Sequence, residues 1–206
     1  MENQEIRRLA VIMFTDMVGY SKKMQQNEDR ALTLLNEHNI ILQRCIDKFG
    51  GKTVKTIGDA FLAEFASVHD AIHAAVLIQK DLIVRNDEHK DGEPINVRIG
   101  IHAGDITFRD NDVFGDGVNI AARIESIANG KQILVSGNVY SMITGKIEFP
   151  FKYLGPRELK NISQPVKVFE VMWESEGEEF SAVIMHSRVA MVAVAFLAAF
   201  YWLLAG

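Results

Sequence analysis

One cysteine, Cys45, occurs in 206 residues, so no intrachain disulfide can form and packing alone must hold the fold. Cys45 lies in a segment of helical spacing and reads as a small core or interface residue. Neither sign of charge is in large excess: 22 Lys and Arg stand against 27 Asp and Glu, a net charge of −5. A general nucleic-acid binder needs a basic face, and this balance argues against one. No internal repeat and no low-complexity tract interrupts the pattern. The opening MENQEIRR does not read as a signal peptide, because it runs straight into a strand. What the chain does have is 48% hydrophobic and 24% charged residues, enough for a packed core.

Strands and helices alternate. LAVIMF (Leu9–Phe14) reads as a buried strand. Glu28–Phe49 places Leu32, Leu35, Ile40, Ile41, Leu42 and Ile46 at roughly helical spacing, and Gly50-Gly51 stops that helix. Thr53–Ile57 and Ala60–Phe65 form a hairpin turning at Gly58-Asp59. Val68–Val84 is helical, and Asn86–Pro94 is a polar loop. Val97–His102 alternates as a strand, with Asp105–Phe108 expected to pair back on it. Gly117–Ala128 is a helix, Ile133–Val135 a strand and Gly137–Thr144 a short helix; Phe149–Leu154 and Val166–Val171 close the domain. The order predicts an α+β fold: a βαββαβ ferredoxin-like core with extra α/β elements after it, helices lying on one face of a largely antiparallel sheet.

Composition changes near Glu174, where ESEGEE opens a charged linker. Three parts follow: a domain over 1–173, a linker over 174–182 and an apolar segment over 183–206. Val189–Gly206 carries no charge. Eighteen helical residues span about 27 Å, close to the ~30 Å hydrocarbon layer. Tyr201 and Trp202 stand near one end, as interfacial aromatics do. The segment is expected to be a single transmembrane helix; a buried C-terminal helix or an oligomer contact is the other use for such a stretch. Arg188 beside it agrees with a cytoplasmic domain on a single-pass inner-membrane protein.

Three short stretches carry chemistry. In FTDMVGYS, Asp16 follows a core strand; alone it would be a turn residue. In KTIGDAF, Asp59 sits at a hairpin tip. If the hairpin neighbours the first strand, the two carboxylates converge, and a hard divalent cation on oxygen ligands is their natural occupant. The backbone N–H groups of Met17, Val18, Gly19 and Tyr20 then offer a phosphate cradle. In NDVFGDGVNIAARIE, Asn119 and Arg123 are spaced i, i+4 and share a helix face. Each alone would be a helix-start residue and a surface ion-pair partner.

Together, FTDMVGYS, KTIGDAF, RIGIHAG, VFGDGVNIAAR and ELKNISQPVKVFEV resemble, in this order, the class III nucleotide cyclases, over about residues 7–172. The resemblance implies a head-to-tail homodimer with two interfacial sites, and two Mg²⁺ or Mn²⁺ ions per site. By the same resemblance Asp16 and Asp59, with the Met17 carbonyl, match the metal ligands. Lys55 and Asp112 match the purine readers, Asn119 and Arg123 the pair that orients ribose and steadies the transition state, and Lys160 the triphosphate lysine. Metals come from one chain and the other five residues from its partner.

The implied reaction turns ATP into 3′,5′-cyclic AMP and pyrophosphate. Adenine offers an N6 donor and an N1 acceptor, which suit Asp112 and Lys55; guanine offers the reverse edge. Two positions depart from the family pattern. Asp105 stands where some relatives place a basic phosphate contact, and Asn161 replaces a glycine but tolerates a left-handed backbone. A guanylate or mixed-specificity cyclase, or a non-catalytic nucleotide sensor, are the competing readings.

Overall fold

The structure, a computed structural model, describes residues 5–90, 92–109 and 112–174. Residues to Val171 form one compact unit, and Met172–Glu174 belong to a second. The expected transmembrane helix at 183–206 and all but the first residue of the linker lie outside the described residues. Among the described residues no helix is long and apolar enough to cross a membrane.

The order is β1 (Ile6–Met17), α1 (Tyr20–Gln26), α2 (Glu28–Lys48), β2 (Lys52–Ile57), β3 (Ala60–Phe65), α3 (Val68–Glu88), β4 (Val97–Arg109), β5 (Asp112–Phe114), α4 (Asp116–Ser126), β6 (Ile133–Ser136), α5 (Gly137–Ile143), β7 (Phe151–Arg157) and β8 (Val166–Val171). The strands make one sheet in the order β2-β3-β1-β4-β6-β8-β7, with β5 paired on β4. Its first four members are the expected βαββαβ core. Only β4–β6 is parallel among the recorded pairings.

The helices begin where side chains supply caps. Asn27 accepts from the Arg30 N–H at 3.0 Å ahead of α2, and Ser67 accepts from Asp70 ahead of α3. Glu28 and Asp29 add negative charge at the positive end of α2. Beyond α2, Gly50 takes φ 65°, a conformation that costs glycine little.

Four expectations are corrected. The helices do not share one face. Ala10, Ile12 and Leu62 pack with Ala121 of α4, whereas α3 sits on the opposite face, its Gln79 donating to the Val97 carbonyl at 3.0 Å. A central strand covered on both sides must be apolar at successive positions, which is why Ala10–Met13 are all buried. Next, His102–Asp105 makes no turn. β4 runs unbroken because β1 lies opposite it from Ile6↔Phe108 to Met17↔Val97. The return strand is β5, beyond Arg109. Third, β1 extends to Met17, so Asp16 is a strand residue rather than a turn residue. Finally, β7 lies at Phe151–Arg157, and α1 was not foreseen; it buries no residue and so left no periodic signal.

Candidate active site

Asp16 and Asp59 are brought together by the β1–β3 pairing. Thr15 lies opposite Phe61, so the hairpin tip reaches the end of β1, and the Met17 N–H donates to Asp59 Oδ2 at 3.0 Å. Gly58, at φ 64°, makes the tight turn that aims Asp59 there. Burial, and after it the negative charge of Asp16, push the Asp59 carboxyl up to about 6.

Arg98 and Glu125 join this patch, and neither was singled out from the sequence. Arg98 is the register partner of Asp16 on β4 and donates to its Oδ2 from Nε at 3.0 Å and Nη2 at 2.6 Å. Glu125 of α4 stands 2.6 Å from the same Nε. Burial lifts the Glu125 carboxyl to about 7; Asp16 and Asp59 also raise it, and Arg98 opposes the rise. The arginine opens the RIGIHAG motif and Glu125 closes NDVFGDGVNIAARIE. Only the strand register, across 82 residues, reveals that Arg98 faces Asp16.

This patch suits a hard divalent cation. Two carboxylates converge in a half-buried place, and among the described residues the cation paired with Asp16 is the Arg98 side chain. Among the described residues no group of three or more His, Cys, Asp or Glu is arranged as a metal cluster. Asp16, Asp59 and a backbone carbonyl such as that of Met17 would therefore hold an ion partly, leaving positions for substrate or water oxygens.

The cradle is smaller than expected. The Met17 N–H is taken by Asp59, and the Val18 N–H donates to the Asn96 carbonyl at 2.9 Å. Gly19, at φ 75°, and Tyr20 open α1, where no intrahelical carbonyl reaches their N–H groups.

Lys55 and Asp112 meet directly. The ammonium lies 2.8 Å from Oδ1 and 2.6 Å from Oδ2, and the Val113 N–H also donates to Oδ1. The hydrogen bond from Lys55 is the main reason the Asp112 carboxyl titrates below the ordinary range. This pair is remote from the carboxylate patch: Lys55 precedes Asp59 by four residues on the hairpin, on the order of 10 Å along a strand. Asn119 and Arg123 ride on α4, the first exposed and the second half-buried. Lys160 is exposed in the turn between β7 and β8, followed by Asn161 at φ 62°, the left-handed geometry expected for it. Asp105 pairs at the surface with Arg7. One chain thus carries the Asp16–Asp59 patch at the end of β1 and the Lys55–Asp112 pair joining β2 to β5.

Comparison with known proteins bears on the family and the fold. A family model described as the adenylate and guanylate cyclase catalytic domain matches residues 2–173. A Rhizobium meliloti protein named "Putative adenylate cyclase 3" is 35% identical over 164 residues, which is 79% of this chain and 28% of that protein. An adenylate cyclase of Anabaena cylindrica is 32% identical, over 80% of this chain and 37% of its own length. The chain thus spans well under half the length of these relatives. Among solved structures, an adenylate/guanylate cyclase/hydrolase from Silicibacter pomeroyi is 37% identical with a TM-score of 0.74, covering 82% of this chain and 99% of its own. The adenylyl cyclase CyaB of P. aeruginosa is 26% identical at a TM-score of 0.74, over 84% of this chain and 98% of its own.

Proposed function

The chain belongs to the adenylate and guanylate cyclase catalytic-domain family, and from that premise we propose that it converts ATP to 3′,5′-cyclic AMP and pyrophosphate as a homodimer with two interfacial sites. The observation that carries the choice of ATP is the Lys55–Asp112 pair, a donor and an acceptor held side by side at 2.6 Å. Adenine presents the complementary edge; guanine would set O6 against a carboxylate and N1–H against an ammonium.

Asp16, Asp59 and the Met17 carbonyl would hold the divalent ions. Two such ions would supply positive charge to acidify the ribose 3′-hydroxyl and offset the triphosphate. The chain's own residues do the rest. Asn119 of the partner orients the ribose so that the 3′-oxygen lies in line with the α-phosphorus. The new bond joins that oxygen to the α-phosphorus while the bond to the β-phosphate oxygen breaks. The hydroxyl proton passes to solvent, and pyrophosphate leaves. Arg123 faces the charge that builds on the α-phosphate, where a fixed donor helps the transition state more than the ground state. Lys160 balances the departing pyrophosphate as a point charge. The Gly19 and Tyr20 N–H groups would donate to a phosphate oxygen.

Turnover of ATP and of GTP, measured separately with Mg²⁺ or Mn²⁺, tests the reading. Cyclic AMP formation at least tenfold more efficient than cyclic GTP formation is expected. Equal or reversed preference would favour the guanylate or mixed cyclase, and no metal-dependent product from either would favour a nucleotide sensor.

A further inference from the structure

Arg98 has two carboxylates and too few hydrogens aimed at them. Its Nε carries one hydrogen, yet lies 3.0 Å from Asp16 Oδ2 and 2.6 Å from Glu125 Oε1. The hydrogen bonds go to Asp16. Glu125 Oε1 is buried and, although close, receives no aligned donor. The Arg98 Nη1 is 3.5 Å from the Ser126 carbonyl, the next residue of α4. The guanidinium therefore stands between two acceptors, satisfied by one, with the second vacant beside it.

We propose that Glu125 is a positioning residue: it receives Arg98 when a divalent cation takes Asp16, and through this exchange the state of one carboxylate patch is passed along α4 to the other site of the dimer. This rests on the cyclase reading above. A cation arriving between Asp16 and Asp59 repels the guanidinium. A small rotation turns the Nε–H from Asp16 to Glu125, so Arg98 need not be expelled into solvent. Without Glu125 the guanidinium keeps Asp16 as its one carboxylate partner among the described residues, and it competes with the cation.

The path onward is short. α4 lies directly on β4 at Gly100, where an added Cβ would come within 2.7 Å of the Ala121 carbonyl oxygen and of Glu125 Cα. Helix and strand are thus in register next to Arg98. Glu125 follows Arg123 by two residues and Asn119 by six on one continuous helix. In the head-to-tail dimer, Asn119 and Arg123 serve the site whose carboxylates belong to the partner. A pull on Glu125 from one site is a pull on the helix that serves the other.

The test uses the full chain with Glu125→Gln and Glu125→Asp, folding checked by circular dichroism. Binding of Mn²⁺ alone, followed by its electron paramagnetic resonance signal, reads the first half without turnover. Glu125→Gln should weaken Mn²⁺ about tenfold, and Glu125→Asp should recover part of that. A folded Glu125→Gln with affinity within twofold of wild type overturns the proposal. The second half uses mixed dimers of Asp16→Asn and Arg123→Ala chains, which keep one intact site. Glu125→Gln placed in the Arg123→Ala chain should raise the metal requirement. Placed in the Asp16→Asn chain, which gives that site only its helix, it should lower kcat severalfold at saturating metal. No effect from the second placement overturns the coupling. An inactive wild type would strike the cyclase reading instead, while the Mn²⁺ measurement would still decide the role of Glu125.

Discussion

Asp59 holds its proton to about 6 because burial, aided by Asp16, disfavours the charge; Glu125 does so to about 7. An unfolded chain releases both protons near the ordinary carboxylate range. Between the unfolded and folded values the native state binds more protons, so stability falls as pH rises through that window. Without divalent cations, the melting temperature should therefore carry a declining contribution from these groups between about pH 4 and 7. Asp59→Asn should remove its share and melt higher than wild type at pH 7.5, and Mg²⁺ should raise wild type but not the variant. Melting curves across pH with and without Mg²⁺ check this; a variant with the wild-type profile would mean that Asp59 carries no such strain. The approach of Asp59 to the end of β1 was legible in the sequence because the hairpin turn at Gly58-Asp59 is a local signal, whereas Lys55 and Asp112 were matched through the family resemblance alone. Arg98 and Glu125 were not legible, since their roles exist only in the approach of β1, β4 and α4.

At the scale of elements, the long amphipathic helices and the hairpin were legible because periodicity and glycine punctuation are local signals. β4 was not. Gly104-Asp105 looks like a turn, but the pairing with β1 outweighs local preference along the whole strand. Gly104 is small for another reason: an added Cβ would lie 2.7 Å from His102 Nε2. The glycine that matters most for the site is Gly100, where α4 rests on the sheet. Gly100→Ala should cost about 1–3 kcal/mol by overpacking, as α4 is lifted from β4. It should also lower turnover, because Arg123 and Glu125 move with the helix. Urea unfolding and a cyclase assay on the same preparation check this. Wild-type stability and activity together would show that α4 does not sit as tightly on β4 as the geometry implies.

Over the whole molecule, the apolar run Val189–Gly206 and the proposed sharing of each site between two chains bear on assembly. From its sequence, the segment 183–206 should hold the chain at a membrane, where confinement raises the effective concentration of one catalytic domain for another. Deleting 183–206 should shift the chain to the soluble fraction and make specific activity depend on protein concentration. A full-length chain that is soluble without detergent would contradict this. The interfacial site is the central claim, and it is tested by mixing two inactive variants, Asp16→Asn and Arg123→Ala. If carboxylates and Arg123 come from different chains, each mixed dimer has one site with both lesions and one with none. Random exchange makes half the dimers mixed, so activity should return to about a quarter of wild type. If both groups served the site within one chain, every site would keep a lesion, and the mixture would stay inactive even with subunit exchange demonstrated.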